Sequence, residues 1–242
     1  MIRSVIFDID DTMFDYGYAD KAGMSALLRY TSEQLSLDLE MVRARIAQVQ
    51  SRITGRLGTD DSAIHNRLIR FQTLLEELGV PDFTHALKMY HAYWDTFIDA
   101  VIPEPGFREL VTALRKAGIS IGVGTDMTAY IQYKKLEKLD VLREMSFIVT
   151  SEEAGVEKPS SPFFRLCVEK AGCAPEESVF IGDNMRKDVE GACSAGLHGM
   201  WYHPTRLEKE NEESSGYPVI RSYEECLKDG RICMGEMVIY NE

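Results

Sequence analysis

No two cysteines of this sequence form a C-x-x-C pair, and the five present, Cys167, Cys173, Cys193, Cys226 and Cys233, are odd in number and scattered. That spacing excludes a disulfide framework and a thiolate zinc site and leaves buried or inert thiols. His65, His85, His91, His198 and His203 show neither an H-E-x-x-H pattern nor any tight ligand spacing, so they stay outside the chemistry. Neither G-x-x-x-x-G-K-[ST] nor G-x-S-x-G occurs, which removes P-loop transfer and the nucleophile elbow. Gly122-Val-Gly124-Thr125 lacks the third glycine of a nucleotide fingerprint and sits inside an apolar run. Internal repeats and low-complexity tracts are absent as well.

Positive charge is also scarce. The 242 residues carry 39 acidic against 27 basic side chains, a formal charge of -12. Such a surface repels nucleic acid and anionic membrane unless a basic patch overrides it, and the sequence has none. Basic residues recur singly or in pairs such as Lys134-Lys135 and Arg186-Lys187, which read as solvated helix faces. The opening MIRSVIFDIDDT has too short an apolar stretch for a secretory leader or a membrane span, so the cytosol is the expected location. Small molecules are the expected partners.

What is abundant is a repeated strand-helix grammar. Ile2 to Phe7 is mostly apolar and ends abruptly in carboxylates, as a buried parallel strand does at its carboxyl end. Ile119 to Thr125, Phe147 to Thr150, Ser178 to Gly182 and Met200 to Tyr202 repeat the pattern. Helical stretches lie between them, at Pro105 to Ala117, Thr128 to Leu139, Ser161 to Ala171 and Arg186 to Ala195. The alternation predicts an α/β domain with a doubly wound, Rossmann-like parallel sheet. Its first crossover is too long: a βαβ unit closes in ~30 residues, yet about a hundred separate Asp15 from Gly118. Residues 15–97 are therefore expected to form an inserted domain, with residues 1–14 and 98–242 forming the core. Within the insert, Leu27 and Leu28, Val42, Ile46, Val49 and Ile53, then Leu68, Phe71, Leu74, Leu75 and Leu78 recur largely at helical spacing, predicting a helical bundle. Turn residues from Gly55 to Asp61 interrupt it, and residues 204–215 read as a polar surface loop.

Chemistry concentrates where the strands end. Asp8-Ile9-Asp10-Asp11-Thr12 follows the first strand, Thr125-Asp126 another, Lys158-Pro159 opens a later helix, and Gly182-Asp183-Asn184-Met185-Arg186-Lys187-Asp188 follows a further strand. In a doubly wound sheet these carboxyl ends open onto one crevice. Alone, each segment reads as a cap, a turn or a surface lysine. Together they collect carboxylates, a hydroxyl and a lysine, a set that suits magnesium better than zinc, and a phosphate.

The ordered set resembles the four motifs of the haloacid dehalogenase-like superfamily, in its phosphatase branch with a helical cap inserted after the first motif. Asp8-x-Asp10-x-Thr12 matches the first motif, Thr125 the second, Lys158 the third, and Gly182-Asp183 with Asp188 the fourth. The resemblance implies that Asp8 is a nucleophile forming an aspartyl-phosphate, and that Asp10 protonates the leaving oxygen and then activates water. It further implies that Asp8, Asp183 and the main-chain carbonyl of Asp10 hold Mg2+, that Thr125 and Lys158 hold phosphoryl oxygens, and that Asp188 stands behind them as a partner of metal waters or of Lys158. Asp10 argues against the dehalogenase branch, which lacks the second acidic residue.

The expected substrate is a small phosphorylated metabolite, a nucleoside monophosphate or a sugar phosphate. A phosphomutase of the β-phosphoglucomutase type would use the same residues, and a non-catalytic phosphate-binding or regulatory module is the reading from another class. Tyr16, Tyr18, Arg52 and Arg56 are the insert's candidate substrate contacts, each more often a plain surface residue.

Overall fold

The computed structural model describes residues 1–59, 61–80, 82–207, 216–228, 230–235 and 237–241. The chain divides into two compact units, Met1–Asp15 with Ile102–Glu242, and Tyr16–Val101. The return falls a little beyond residue 98 because the last helix of the insert, Thr84–Asp99, runs on past it and buries Phe97.

The chain opens with β1 (Ser4–Phe7), whose four residues are all buried. It then enters the helical unit, α1 (Tyr16–Leu35), α2 (Leu39–Leu57), α3 (Arg67–Glu77) and α4 (Thr84–Asp99). Helix α2 starts where the Asp38 carboxylate accepts from Met41 N at 2.8 Å and stops at Gly58, so Gly55 lies inside the helix. Asn66 caps α3 in the same way, through Leu68 N at 2.9 Å. Val42, Ile46, Val49 and Ile53 of α2 and Phe71, Leu74 and Leu75 of α3 form the buried stripes, while Leu68 is exposed. Buried Arg67 lies over the rings of Tyr93 and Trp94 and donates to Tyr16 Oη at 2.8 Å.

The other unit continues with α5 (Phe107–Lys116), β2 (Ser120–Thr125), α6 (Ala129–Lys138), β3 (Phe147–Thr150), α7 (Ser151–Ala154), α8 (Ser161–Ala171) and β4 (Ser178–Gly182). A π-helical turn, Met185–Glu190, leads into α9 (Gly191–Ser194) and β5 (His198–Tyr202). The strands form a six-stranded sheet in the order β3-β2-β1-β4-β5-β6, where β6 is Val219–Ile220. Its pairings are all parallel, and β1 lies centrally, with Ser4 opposite both Ser120 and Ser178. Buried on both faces, these strands read as continuous apolar runs. Phe163, Phe164, Cys167 and Phe180 pack on one such cluster with Ile6 and Val149.

Two parts of this unit were not visible in the apolar pattern. The sixth strand has only two residues, and a separate antiparallel sheet, β7 (Leu227–Lys228), β8 (Arg231–Met234) and β9 (Met237–Asn241), follows it. Of the surface loop expected over 204–215, residues 208–215 lie outside the described residues. Among the described residues no helix is long and apolar enough to cross a membrane.

Candidate active site

The carboxyl end of β1 lies between those of β2 and β4, so the segments after these three strands meet in space. Asp8, one residue past β1, donates its backbone N–H to Ile181 O at 2.8 Å and keeps only 7% of its surface exposed. Lys158, equally buried, places Nζ 2.8 Å from Asp8 Oδ1 and 2.7 Å from Asp188 Oδ1. The same Nζ donates to Gly124 O at 3.3 Å, which holds the ammonium beside the carboxyl end of β2.

Asp188 reaches this point from the π-helical turn, where Asn184 N donates to its Oδ2 at 2.9 Å. Gly182 makes room for it: a β-carbon there would lie 2.4 Å from the Asp188 carboxylate. Asp183 is fixed through its backbone, its N–H donating to Thr12 Oγ1 at 3.1 Å and its carbonyl accepting from Trp201 Nε1 at 2.7 Å. Asp8, Asp183 and Asp188 each bring one carboxylate oxygen within 4.8 Å of the others.

Crowding of like charge sets the electrostatics. Burial pushes the Asp183 carboxyl up to about 9, with the Asp188 and Asp8 carboxylates adding to the rise. Burial likewise lifts Asp8 to about 7 against the pull of Lys158. Lys158 is held well above its ordinary value, because Asp188, Asp8 and Asp126 outweigh the opposing effect of burial. Three carboxylates face one ammonium, so the fully ionised cluster lacks the charge of one dication. Three carboxylate oxygens within 4.8 Å of one another form an all-oxygen donor set, which suits a hard cation. The donors therefore fit Mg2+.

The remaining residues singled out by sequence stand around this centre. Thr125, buried at the end of β2, accepts from Gln132 Nε2 at 2.7 Å and donates to Asp126 O at 3.2 Å. The Asp10 carboxylate is not part of the three-carboxylate group; it meets Lys135 Nζ at 2.7 and 2.8 Å. Asp188 pairs directly with Lys158 and also brings a carboxylate oxygen to the Asp8 and Asp183 cluster. In the helical unit, Tyr16 and Arg52 are tied to Arg67 and Glu77, while Tyr18 and Arg56 are exposed.

Sequence reasoning missed three polar partners. Lys135 is not on a solvated face: it is fully buried on the same stripe of α6 as Ile131, Gln132 and Leu136. Lys187 is no free surface lysine either, since its Nζ lies 2.7 Å from Asp126 and 3.1 Å from Glu157. Asp126 in turn accepts from Lys158 N at 3.0 Å, so this chain of contacts steadies the loop that carries Lys158. The available signal was periodicity, because Lys135 falls four residues after Ile131 on the apolar stripe.

Comparison with known proteins settles the lineage of this arrangement. The pattern of the family described as "Haloacid dehalogenase-like hydrolase" matches residues 5–201. The chain belongs to that family. Among its relatives, this hydrolase is 31% identical over 217 residues to ribulose-1,5-bisphosphate 5-phosphatase of Halopiger xanaduensis, covering 89% of this chain and 90% of the relative. It is 31% identical over 199 residues to glyceraldehyde 3-phosphate phosphatase of Methanopyrus kandleri, covering 81% and 82% of the two chains. In fold the hydrolase is similar to an HAD phosphatase from Thermococcus onnurineus, with a TM-score of 0.69 at 22% identity over 93% of this chain and 95% of the other. It is also similar to 2-haloacid dehalogenase from Pseudomonas syringae, with a TM-score of 0.72 at 22% identity over 93% and 96%. At these identities the two structures speak for the fold alone.

Proposed function

We propose that this hydrolase is a magnesium-dependent phosphatase acting on small sugar phosphates through an aspartyl-phosphate on Asp8. The observation that carries the reading is the Asp8 carboxylate, 2.8 Å from buried Lys158 and grouped with Asp183 and Asp188. A phosphate ester set against Asp8 would meet a carboxylate nucleophile and one fixed ammonium for its oxygens. Asp8, Asp183 and the main-chain carbonyl of Asp10 would hold Mg2+, and the adjoining carboxylate of Asp188 supports a role for it both in the metal's surroundings and in fixing Lys158. Bound there, the ion supplies positive charge that offsets repulsion between a carboxylate nucleophile and an anionic ester.

The substrate class follows from the relatives. Ribulose-1,5-bisphosphate 5-phosphatase and glyceraldehyde 3-phosphate phosphatase both remove phosphate from the terminal carbon of a short sugar. We extend that class to this chain: phosphate on a primary carbon of a short aldose or ketose, in preference to nucleoside monophosphates. A primary alkoxide is a poor leaving group and calls for a general acid. Asp10, two residues beyond Asp8, has the chemistry for it. As the Asp8–phosphorus bond forms and the ester bond breaks, the leaving oxygen keeps the electron pair and takes the Asp10 proton. Asp10 then accepts a proton from the water that hydrolyses the aspartyl-phosphate. Thr125, its hydroxyl anchored by Gln132, holds a phosphoryl oxygen alongside Lys158.

The test is phosphate release from a panel of terminal sugar phosphates and nucleoside monophosphates, with magnesium or chelator, for the parent and Asp8→Asn. Magnesium-dependent release from a sugar phosphate, abolished in the variant, is expected. Isomerised sugar phosphate without free phosphate would instead make the chain a mutase, and no turnover of any ester would make it a binding module.

A further inference from the structure

A buried lysine faces the proposed acid-base residue, and nothing in the motif set assigns it a task. Lys135 lies on α6, fully buried, and its Nζ contacts both carboxylate oxygens of Asp10 at 2.7 and 2.8 Å. The Asp10 side chain keeps 25% of its surface exposed, so one side of the carboxylate faces the lysine and another faces solvent. The rest of the lysine head's surroundings include the Met127 sulfur at 3.5 Å and the Phe14 ring at 5.9 Å, a thioether and an aromatic face that bond an ammonium more weakly than a carboxylate does.

Burying an ammonium costs several kcal/mol unless a well-placed anion answers it. A lysine whose only task was to fill the interior could be replaced by methionine at lower cost. Here an answering anion is Asp10, a carboxylate of the first-motif segment that stands outside the Asp8, Asp183 and Asp188 group. An aspartate at the end of a strand has two side-chain torsions, and proton transfer requires both to be set. Contact of one Nζ with both oxygens fixes the carboxylate plane. We propose that Lys135 is a positioning residue for Asp10: by contacting both oxygens it sets the plane of the carboxyl group, so that the part of the group turned away from the ammonium is presented to the leaving oxygen, and later to water. The inference rests on the acid-base reading of Asp10 given above. Lys135 touches no substrate and transfers no proton itself.

Leaving-group dependence separates positioning from general support of the fold. An aryl phosphate departs without a proton, whereas an alkyl phosphate requires one, so only the alkyl ester reports on Asp10 in the first half-reaction. Pre-steady-state bursts and steady-state rates would be measured for one ester of each kind, with magnesium, in the parent, Lys135→Met, Asp10→Asn and the double variant. Lys135→Met is expected to keep its burst of aryl alcohol within about threefold while slowing alkyl ester cleavage about 100-fold, with KM little changed. In the Asp10→Asn background the same substitution should add nothing, because there is no carboxyl left to orient. Lys135→Gln, which keeps a donor but no charge, should fall between parent and methionine and serves where the methionine variant does not fold. Equal losses in the cleavage step of both esters, or an additive loss in the double variant, would overturn the positioning role. If Asp10→Asn itself slows the cleavage step of the two esters equally, the general-acid reading of Asp10 fails first and takes this inference with it; hydrolysis of the shared phosphoenzyme slows alike for both esters under either outcome.

Discussion

Asp183 shows how strongly a single side chain registers the missing charge at this centre. Its folded value of about 9 lies above the ~3.9 of a free aspartate, so without metal the fold favours the neutral acid. Its contribution to stability is complete below about pH 4 and is lost as pH rises toward 9. In chelator, Asp183→Asn is therefore expected to overtake the parent as pH rises, with the gap widening between about pH 5 and pH 9. Thermal melts of both proteins across that range would check it, and parallel curves would remove the crowding argument. At this scale the first-motif aspartates could be singled out only as members of the ordered set of four segments, since alone a carboxylate after an apolar strand also reads as a cap or a turn. Lys135 was missed: beside Lys134 it looks like half of a solvated pair, and its place four residues after Ile131 on the apolar stripe of α6 was the one signal that it points inward.

Elements carry the site by close approach. Gly182 ends β4 where the Asp188 carboxylate crosses it, and Gly182→Ala would force the two apart. We expect the variant to lose about 1–3 kcal/mol of stability and about a hundredfold in turnover, since displaced Asp188 no longer steadies Lys158. Steady-state kinetics beside a urea melt would separate the two effects. Gly106 does a different job: it precedes α5 with φ of 77°, and a β-carbon there would lie 2.5 Å from the Glu224 backbone nitrogen. Neither the backbone angle nor its backbone neighbour can yield easily, so Gly106→Ala should cost about 3 kcal/mol or more, read as a lowered urea midpoint. The strands β1 to β5 were legible because burial on both faces makes them unbroken apolar runs. The two-residue strands β6 and β7 have no period to read, and β8 and β9 pair with each other at one end of the chain with a bulge between Ile232 and Cys233.

Across the whole molecule, the three clustered carboxylates all belong to the unit built on the parallel sheet, and the helical unit supplies none of them. Magnesium at about a hundred times its dissociation constant should therefore add ~2.7 kcal/mol to the stability of the parent, and less to Asp8→Asn at equal concentration. Hydrogen exchange would locate the gain, with slower exchange expected in β1, β4 and residues 185–190 and little direct change across α1 to α4. Protection spread evenly over the four helices would place the metal elsewhere. The division of the chain was legible from one overlong crossover, whereas the seam itself follows from how far α4 extends, which apolar spacing does not fix.

The central place of β1 has a consequence in time. Its neighbours in the sheet, β2 and β4, are more than a hundred residues further along the chain. At ~5–20 residues per second, a ribosome leaves β1 without a partner for several seconds or longer, while all of the helical unit is made in between. That unit closes through helices adjacent in sequence and through α1 against α4, contacts complete once residue 101 has emerged. The nascent chain thus carries an unpaired, mostly apolar strand at its leading end, with the helical unit made behind it. Capture of that strand by another nascent chain, rather than unfolding of the finished enzyme, is the route by which overproduction would lead to aggregates.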